Sequence, residues 1–257
     1  MITSLANAKV KYVRRLQAEK RFRTREKAYV IEGTRWAAEL VQMPRQPELV
    51  FYTEEWRQTA AHDHILQQID SPKQAVNESV MAAMSDTQTP PGILAVLPQQ
   101  QLSLPLQPSL LLILDGVTNP GNLGTMLRSA GAAGADGVLL GPGCADVFNP
   151  KTVRGGMGAH LRLPILTADW DQLAQIATGM GVWLAAADGE MSYTAVSWIS
   201  PSAIIIGGEA GGAGQQARQL ATGTIAIPMH AATESLNAAV AAAVILFEAA
   251  RQRQIKS

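Results

Sequence analysis

Five polar or charged side chains stand beside apolar, strand-like runs in the second half of the chain. They are Asn122 and Arg128 in LDGVTNPGNLGTMLRSAG, Glu209 in IIIGGEAGG, and Ser235 and Asn237 in IPMHAATESLN. Two amides, a guanidinium, a carboxylate and a hydroxyl can hold and orient a polar substrate through hydrogen bonds. A purely structural role remains open for Asn122 and Ser235, because each residue type is a preferred helix N-cap.

The elements that would position these side chains are strands alternating with helices. The runs LLLILDGV, GVLLG, VWLAAA, SAIIIGG and GTIAIP are short and apolar, and each ends in a polar or glycine turn. A helical pattern, LGTMLRSAGAAGA, lies between the first two runs. This alternation predicts an α/β fold with a mostly parallel sheet covered on both faces. Such sheets bind ligands at the carboxyl ends of their strands, where the five side chains are expected.

The first half of the chain has a different pattern. Helical stretches (RWAAELVQM, ESVMAAMSD) mix with short strand-like runs (LVFYT, GILAVL) over residues 1–98, which predicts a small α/β domain. Residues 99–108 form a Gln- and Pro-rich linker, and residues 109–257 form the second domain.

Positive charge is concentrated at the start of a chain whose formal net charge is zero. Residues 1–30 hold nine basic side chains against Glu19 and Glu26, a local charge near +7 that suits an anionic polymer. Tyr12, Phe22 and Tyr29 are interleaved and can either stack on bases or anchor a core. The basic residues are Lys9, Lys11, Arg14, Arg15, Lys20, Arg21, Arg23, Arg25 and Lys27.

Several other classes of site fit the sequence poorly. No phosphate-binding P-loop and no G-x-S-x-G nucleophile motif occurs. The stretch from Gly212 to Ala217 fits G-x-G-x-x-A, and Glu234 lies 20 residues after Gly214, but the glycines start too far beyond the strand for a dinucleotide site. Cys144 is the one cysteine, which excludes an internal disulfide and fits a reducing cytosol. We expect neither a membrane span nor a secretory signal.

Taken together, three stretches resemble the signature motifs of the SpoU/TrmH-type RNA 2′-O-ribose methyltransferases, of the SPOUT class. The first is LDGVTNPGNLGTMLRSAGAAGADGVLL, the second IIIGGEAGG and the third IPMHAATESLNAAVA, and FNPKTVRGGMGAHLRLPI is similar to the stretch that joins the first two. The likeness spans roughly residues 110–254. The family commonly has serine where Gly156 stands, glycine at Ala231, and asparagine or serine at Gly208.

The resemblance implies a catalytic domain with a deep trefoil knot, preceded by an RNA-binding domain as in rRNA-modifying members. It also implies a homodimer that packs partly through the last helix, and S-adenosylmethionine bound by the second and third motifs. Metal is not required. The residues implied to bind the cofactor are Gly208, Glu209, Ile227, Pro228, Met229, Ser235, Leu236 and Asn237.

The implied reaction is attack of a ribose 2′-hydroxyl on the methyl group of the cofactor. Arg128 is implied to activate the hydroxyl, but a guanidinium has no acceptor atom and is a poor base, so we expect it to grip phosphate and stabilise oxyanion charge. Asn122, Ser235 and Asn237 would orient Arg128 and the ribose, and Glu209 would orient Arg128 or a backbone amide. The residues expected to contact RNA are Arg14, Arg15, Arg21, Arg23, Arg25, Arg128 and Arg154.

These observations favour cytoplasmic methylation of 23S ribosomal RNA. Methylation of transfer RNA is the alternative within the same class. A catalytically silent RNA-binding or ribosome-assembly protein with the same fold is an alternative from another class.

Overall fold

The structure is a computed structural model, and it forms two compact units. One unit comprises residues 1–100 with 148–154, and the other comprises residues 101–147 with 155–257. Ala231 and Glu234, considered above from the sequence, lie outside the described residues. The described residues are 1–42, 46–100, 102–209, 211–230 and 235–254.

The first unit is built on a four-stranded sheet. Its elements, in chain order, are α1 (Ala8–Ala18), α2 (Lys20–Glu26), β1 (Ala28–Glu32), α3 (Thr34–Val41), β2 (Leu49–Thr53), α4 (Glu54–Arg57), α5 (Ala60–Gln68), β3 (Lys73–Val76), α6 (Glu78–Met84) and β4 (Ile93–Pro98). The strands lie in the order β1-β4-β2-β3, and only the β2–β3 pair is parallel. The helices and strands predicted for this half are therefore present.

The second unit is built on a seven-stranded sheet in which every strand pair is parallel. Its elements are β5 (Leu110–Asp115), α7 (Pro120–Ala132), β6 (Gly137–Leu140), α8 (Pro150–Gly156), α9 (Ala159–Arg162), β7 (Ile165–Thr167), α10 (Trp170–Ile176), β8 (Gly181–Ala185), β9 (Met191–Ser192), β10 (Ser202–Gly207), α11 (Gln215–Leu220), β11 (Gly223–Ala226) and α12 (Ala238–Gln254), of which α8 runs across the boundary between the two units. The strand order is β7-β6-β5-β10-β8-β11-β9, which confirms the predicted parallel α/β sheet.

Both faces of this sheet are buried, as its uninterrupted apolar strands predict. Leu112 of β5 packs into the core that contains α7 and α12, whereas Ile113 packs into the core that contains α10 and α11. Helix α12 buries alanines and aliphatic residues against α7, and these small side chains let the two helices approach closely. Neither α12 nor any other helix in the described part of the chain has the length and apolarity that crossing a membrane requires.

The N-cap residues of α7 and α12 are not Asn122 and Ser235, the two candidates from the sequence. The cap of α7 is Asn119, whose Oδ1 accepts hydrogen bonds from the amides of Gly121 (2.8 Å) and Asn122 (3.3 Å). Pro120 then takes the first helical position, where its fixed φ is suitable. At α12 the Oδ1 atom of Asn237 accepts from the amides of Ala239 and Val240. The capping roles of Asn122 and Ser235 are therefore wrong.

His160 in α9 is a buried imidazole that makes stability depend on pH. Its Nε2 lies 2.8 Å from the carbonyl oxygen of Val147, and burial lowers the pKa of His160 from 6.5 to about 4. Between these values the unfolded chain binds a proton that the folded chain does not. We expect this one group to lower the free energy of unfolding by on the order of 2–3 kcal/mol as the pH falls from about 6.5 to about 4.

Replacing His160→Gln should remove this contribution, which urea unfolding at several pH values would measure. The control is His64→Gln, because His64 is exposed and its loss should leave the pH dependence as it is in the wild type. An unchanged pH dependence in the His160 variant would contradict the assignment.

Candidate functional site

A cavity of about 510 Å³ lies in the second unit at the carboxyl ends of β8, β10 and β11. Its volume falls within the roughly 300–1,000 Å³ of small-molecule sites. Apolar side chains form much of its wall, including Leu184, Ile206, Ile225, Ile227 and Ile245. Among the described residues, the charged ones that line it are Asp188, Glu209 and Arg218. An apolar wall with a few charged groups suits a ligand that has both an aromatic part and charged parts.

The residues expected to bind the cofactor meet at this cavity, with one exception. Pro228 stands between two residues that line the cavity but does not line it itself. The others, which do line it, are Gly208, Glu209, Ile227, Met229, Ser235, Leu236 and Asn237.

A chain of hydrogen bonds connects the three loops at the edge of the cavity. Asn122 Nδ2 donates to Glu209 Oε1 at 2.6 Å, and Asn237 Nδ2 donates to Asn122 Oδ1 at 3.3 Å. Since Asn237 Oδ1 also accepts from the first amides of α12, both ends of each amide group have a partner. These bonds determine which way each amide faces, and they bring together residues up to 115 positions apart in the chain.

Arg128 does not join this chain of hydrogen bonds. It follows Asn122 by six residues, and at about 100° per residue the two side chains leave α7 in different directions. Arg128 is exposed, and among the described residues its guanidinium has no hydrogen-bond or ion-pair partner. In this structure the side chains of Asn122, Asn237 and Glu209 bind one another and not Arg128, so their role in orienting Arg128 stays a prediction.

Glycines make up the part of the cavity wall that carries Glu209. A Cβ atom at Gly208 would collide with the carbonyl oxygen of Gly116, and one at Gly207 would collide with the backbone of Gly212 and Ala213. Gly212 itself has φ +63°, which disfavours other residues. The asparagine or serine that the family commonly has at position 208 therefore does not fit this backbone without a shift.

The residues present fit S-adenosylmethionine. The apolar wall suits an adenine ring, and the carboxylates of Asp188 and Glu209 suit the cationic sulfonium and ammonium groups. Arg218 offers a cation for the carboxylate of the cofactor. In the described part of the chain, no three His, Cys, Asp or Glu side chains cluster closely enough to hold a metal ion.

Two of the charged residues at the cavity, Asp188 and Arg218, were not predicted from the sequence. Asp188 follows the end of β8 by three residues, so its position after an apolar run was a usable signal. Arg218 lies inside α11, and its Nε donates to the carbonyl oxygen of Ala213 at 3.2 Å. Nothing in its sequence surroundings distinguishes it from an arginine on a solvated helix face.

The basic segment of the first unit contains arginines in different environments. Arg15 and Arg25 both stack on the Phe22 ring, at 3.9 and 4.8 Å from its centroid, and each also pairs with a glutamate. Arg14 and Arg21 are exposed, and neither has an ion-pair partner among the described residues. These two are the most readily available to an external phosphate.

Arg23 was expected to contact RNA, and the structure contradicts this. It is 3% exposed, and its Nη1 donates to the carbonyl oxygens of Leu16 (2.6 Å) and Gln17 (3.1 Å). Its guanidinium connects α2 to the last turn of α1 through these two bonds. Phe22 and Tyr29 are also buried, so they are core anchors rather than platforms for bases.

Arg154 is half-exposed and already paired within the first unit. Its Nη1 lies 2.7 Å from Asp86 Oδ2. An RNA phosphate would have to compete with this carboxylate, although an exposed pair of this kind contributes little stability.

Comparison with known proteins gives two family matches that divide the chain. The model described as the SpoU rRNA Methylase family matches residues 109–247. The model described as the MRM3-like substrate binding domain matches residues 7–95. The first match spans more than half of the chain and contains all the residues that line the cavity.

Relatives of similar length carry related names. The chain is 32% identical over 257 residues to the 23S rRNA (guanosine(2553)-2'-O)-methyltransferase RlmP of Bacillus subtilis (strain 168), covering 96% of this chain and 97% of that protein. It is 30% identical over 269 residues to the 23S rRNA (uridine(2479)-2'-O)-methyltransferase of Streptomyces viridochromogenes, covering 96% and 91%.

A solved structure with the same fold contains the cofactor. It is the SpoU methyltransferase AviRb from Streptomyces viridochromogenes in complex with AdoMet, with a TM-score of 0.87 and 27% identity. The match covers 96% of this chain and 98% of that chain.

Exposed and buried arginines of the first unit should affect RNA binding differently. Replacing Arg14→Gln and Arg21→Gln together removes two available charges, so the slope of log affinity against log salt should become shallower by about 1.5. Binding to a ribosomal RNA fragment, measured by filter binding from low to high salt, checks this.

The matched variant is Arg23→Gln, which removes the same type of charge from a buried position. It should leave the salt slope unchanged while lowering the free energy of unfolding by about 1–3 kcal/mol, because two carbonyl groups lose their donor. Two outcomes would count against Arg14 and Arg21 as RNA contacts. One is a shallower salt slope in the Arg23 variant, and the other is an unchanged salt slope in the double variant.

Proposed function

The chain belongs to the SpoU rRNA Methylase family, and we propose that it transfers a methyl group from S-adenosylmethionine to a ribose 2′-hydroxyl of 23S ribosomal RNA. The observation that carries this proposal is the joined set of Asn122, Glu209 and Asn237 at the edge of a cavity that fits the cofactor. The names of both relatives, and the cofactor in the structural neighbour, support it.

The side chains at the cavity edge would position the ribose rather than act as nucleophiles. When bound, S-adenosylmethionine supplies a methyl group that is already activated by the sulfonium. Asn122 and Asn237 present amide groups in fixed orientations, and Ser235 adds a hydroxyl that can donate or accept. Glu209, which accepts from Asn122, would help to keep the second motif against the first.

Arg128 would act on the RNA itself. Its exposed guanidinium, without a partner among the described residues, is available to grip a phosphate and to stabilise negative charge that develops on the ribose oxygen. It would not remove the proton from the hydroxyl, because a guanidinium stays protonated and has no acceptor atom.

We propose that the reaction takes place in the cytoplasm and that its partner is RNA. The first unit would be the RNA-binding domain. The match to a substrate binding domain over residues 7–95 and the exposed basic side chains support that role. Transfer RNA is the alternative substrate. A silent RNA-binding protein is the alternative from another class, and the intact hydrogen-bonded set argues against it.

We further propose a deep trefoil knot in the second unit. Support comes from the TM-score of 0.87 to a SpoU methyltransferase. It also comes from the path of the chain, which leaves β11 and returns to α7, where Asn237 meets Asn122.

A homodimer through α12 also belongs to this proposal. Val240 and Phe247, 47% and 51% exposed, stand seven residues apart on one face of this helix. Apolar side chains aligned in this way are typical of a face that another surface covers.

Replacing Arg128→Ala should lower the rate of methyl transfer at least 100-fold while cofactor affinity stays near that of the wild type. The measurement is transfer of labelled methyl to unmodified ribosomal RNA and, separately, to unmodified transfer RNA. Arg128→Lys should be intermediate, because lysine keeps the charge without the two-pronged geometry. Near wild-type transfer by the alanine variant would overturn the role of Arg128. Label in neither RNA would favour the silent protein.

Replacing Phe247→Asp should convert the dimer to a monomer, because the substitution places a charge in an apolar interface. Sedimentation velocity at micromolar protein measures this. Ile199→Asp is the matched control, since Ile199 is 43% exposed and lies outside α12. A monomeric wild type, or an equal effect of both variants, would contradict the α12 interface.

A further inference from the structure

The carboxylate of Asp115 lies near the cavity. It has no role in the proposed chemistry, and it does not line the cavity. Asp115 ends β5, and its Oδ2 accepts a hydrogen bond from the amide of Gly214 at 2.7 Å. The two residues are 99 positions apart in the chain. The bond therefore connects the strand that leads into the first motif with the segment that directly follows the second motif.

The segment held by this bond forms part of the cavity. We call residues 207–209 and 211–214 the glycine loop. Five of its residues line the cavity: Gly207, Gly208, Glu209, Gly212 and Ala213. The loop turns back on itself, since the amide of Gly212 donates to the carbonyl oxygen of Gly208 at 3.0 Å. Its shape therefore determines where these groups meet a ligand.

The two ends of the glycine loop are attached in different ways. Near its start, Glu209 accepts from Asn122. At its end, Gly214 is the N-cap residue of α11, and having no side chain it cannot form the usual capping hydrogen bond. The Gly214 amide itself donates to Asp115, at the end of β5. A second side-chain bond at this end, from Arg218 Nε to the carbonyl oxygen of Ala213, comes from α11, the helix that the loop leads into. The bond to Asp115 is therefore the one that attaches this end of the loop to β5.

We propose that Asp115 is a positioning residue for the cofactor: its carboxylate holds the Gly214 amide and so keeps the glycine loop in the shape that binds S-adenosylmethionine. Asp115 acts through the loop, because it does not itself line the cavity. A loop that is ordered before the cofactor arrives avoids an entropic cost of binding. The inference rests on the proposed cofactor but not on the identity of the RNA.

Removing the acceptor should weaken cofactor binding. A hydrogen bond to a charged acceptor is stronger than a neutral one, so Asp115→Ala should raise the Kd for S-adenosylmethionine about 10-fold or more. Asp115→Asn should stay within about threefold of the wild type, because the amide oxygen can still accept from Gly214. Isothermal titration calorimetry of the full chain with S-adenosylmethionine gives both values without RNA.

The second readout is hydrogen exchange at the Gly214 amide. In the absence of cofactor, this amide should exchange about 10-fold faster in Asp115→Ala than in the wild type, and Asp115→Asn should restore its protection. A general loss of stability would not change this one amide selectively.

The matched control is Asp136→Ala. Asp136 Oδ2 also accepts backbone amides, from Ser109 (2.6 Å) and Leu110 (2.9 Å), but at the opposite end of β5. This variant should lose stability yet keep the cofactor affinity of the wild type. Equal weakening by Asp136→Ala would overturn the proposal, as would unchanged affinity in Asp115→Ala or failure of Asp115→Asn to restore binding. A wild type that does not bind the cofactor would instead overturn the proposed function.

Discussion

The parallel pairing of β5 with β10 is the constraint on which the site depends. Its register sets Asp115 opposite Gly207, so the loops that follow both strands leave the sheet at the same edge. Because the pairing is parallel, backbone hydrogen bonds alone bring together residues that are far apart in sequence. The bonds from Asn122 to Glu209 and from Gly214 to Asp115 both cross between these two loops. A shift of one residue in this register would separate both pairs at once.

The close approach of the two loops is possible because glycine stands on both sides of the contact. The Cα of Gly208 lies against the carbonyl of Gly116, where a side chain has no room. The same closeness brings the carboxylates of Asp115 and Glu209 near Cys144, where burial is the largest of the effects that raise the pKa of the thiol. A packed backbone surface of this kind leaves few side chains to recognise the cofactor, so its shape must be maintained by the hydrogen bonds at its ends.

Much of this arrangement follows from the sequence, and the remainder depends on contacts that periodicity does not encode. Apolar runs such as LLLILDGV and SAIIIGG predict buried parallel strands because both of their faces must be covered, and the structure agrees. Since the carboxyl ends of parallel strands meet at the same edge of a sheet, the polar loops that follow these strands are expected together at that edge. The mutual hydrogen bonds of Asn122, Glu209 and Asn237 were not predictable in this way, because they depend on how three separate loops meet. The burial of Arg23 depends on how α1 and α2 pack against each other. A count of basic residues cannot distinguish it from the exposed arginines nearby.

The chemistry at the cavity edge is the same for any nucleotide, since every ribonucleotide offers a 2′-hydroxyl. Groups such as Asn122 and Asn237 would contact the ribose, so they cannot tell guanosine from uridine. The names of two relatives that are 32% and 30% identical to this chain accord with this, because one names guanosine and the other uridine. Selection of the target must then come from RNA shape and from contacts outside the joined set. The exposed arginines of the first unit, Arg14 and Arg21, would on our proposal neutralise phosphate without reading a base, and so would supply affinity and orientation rather than identity.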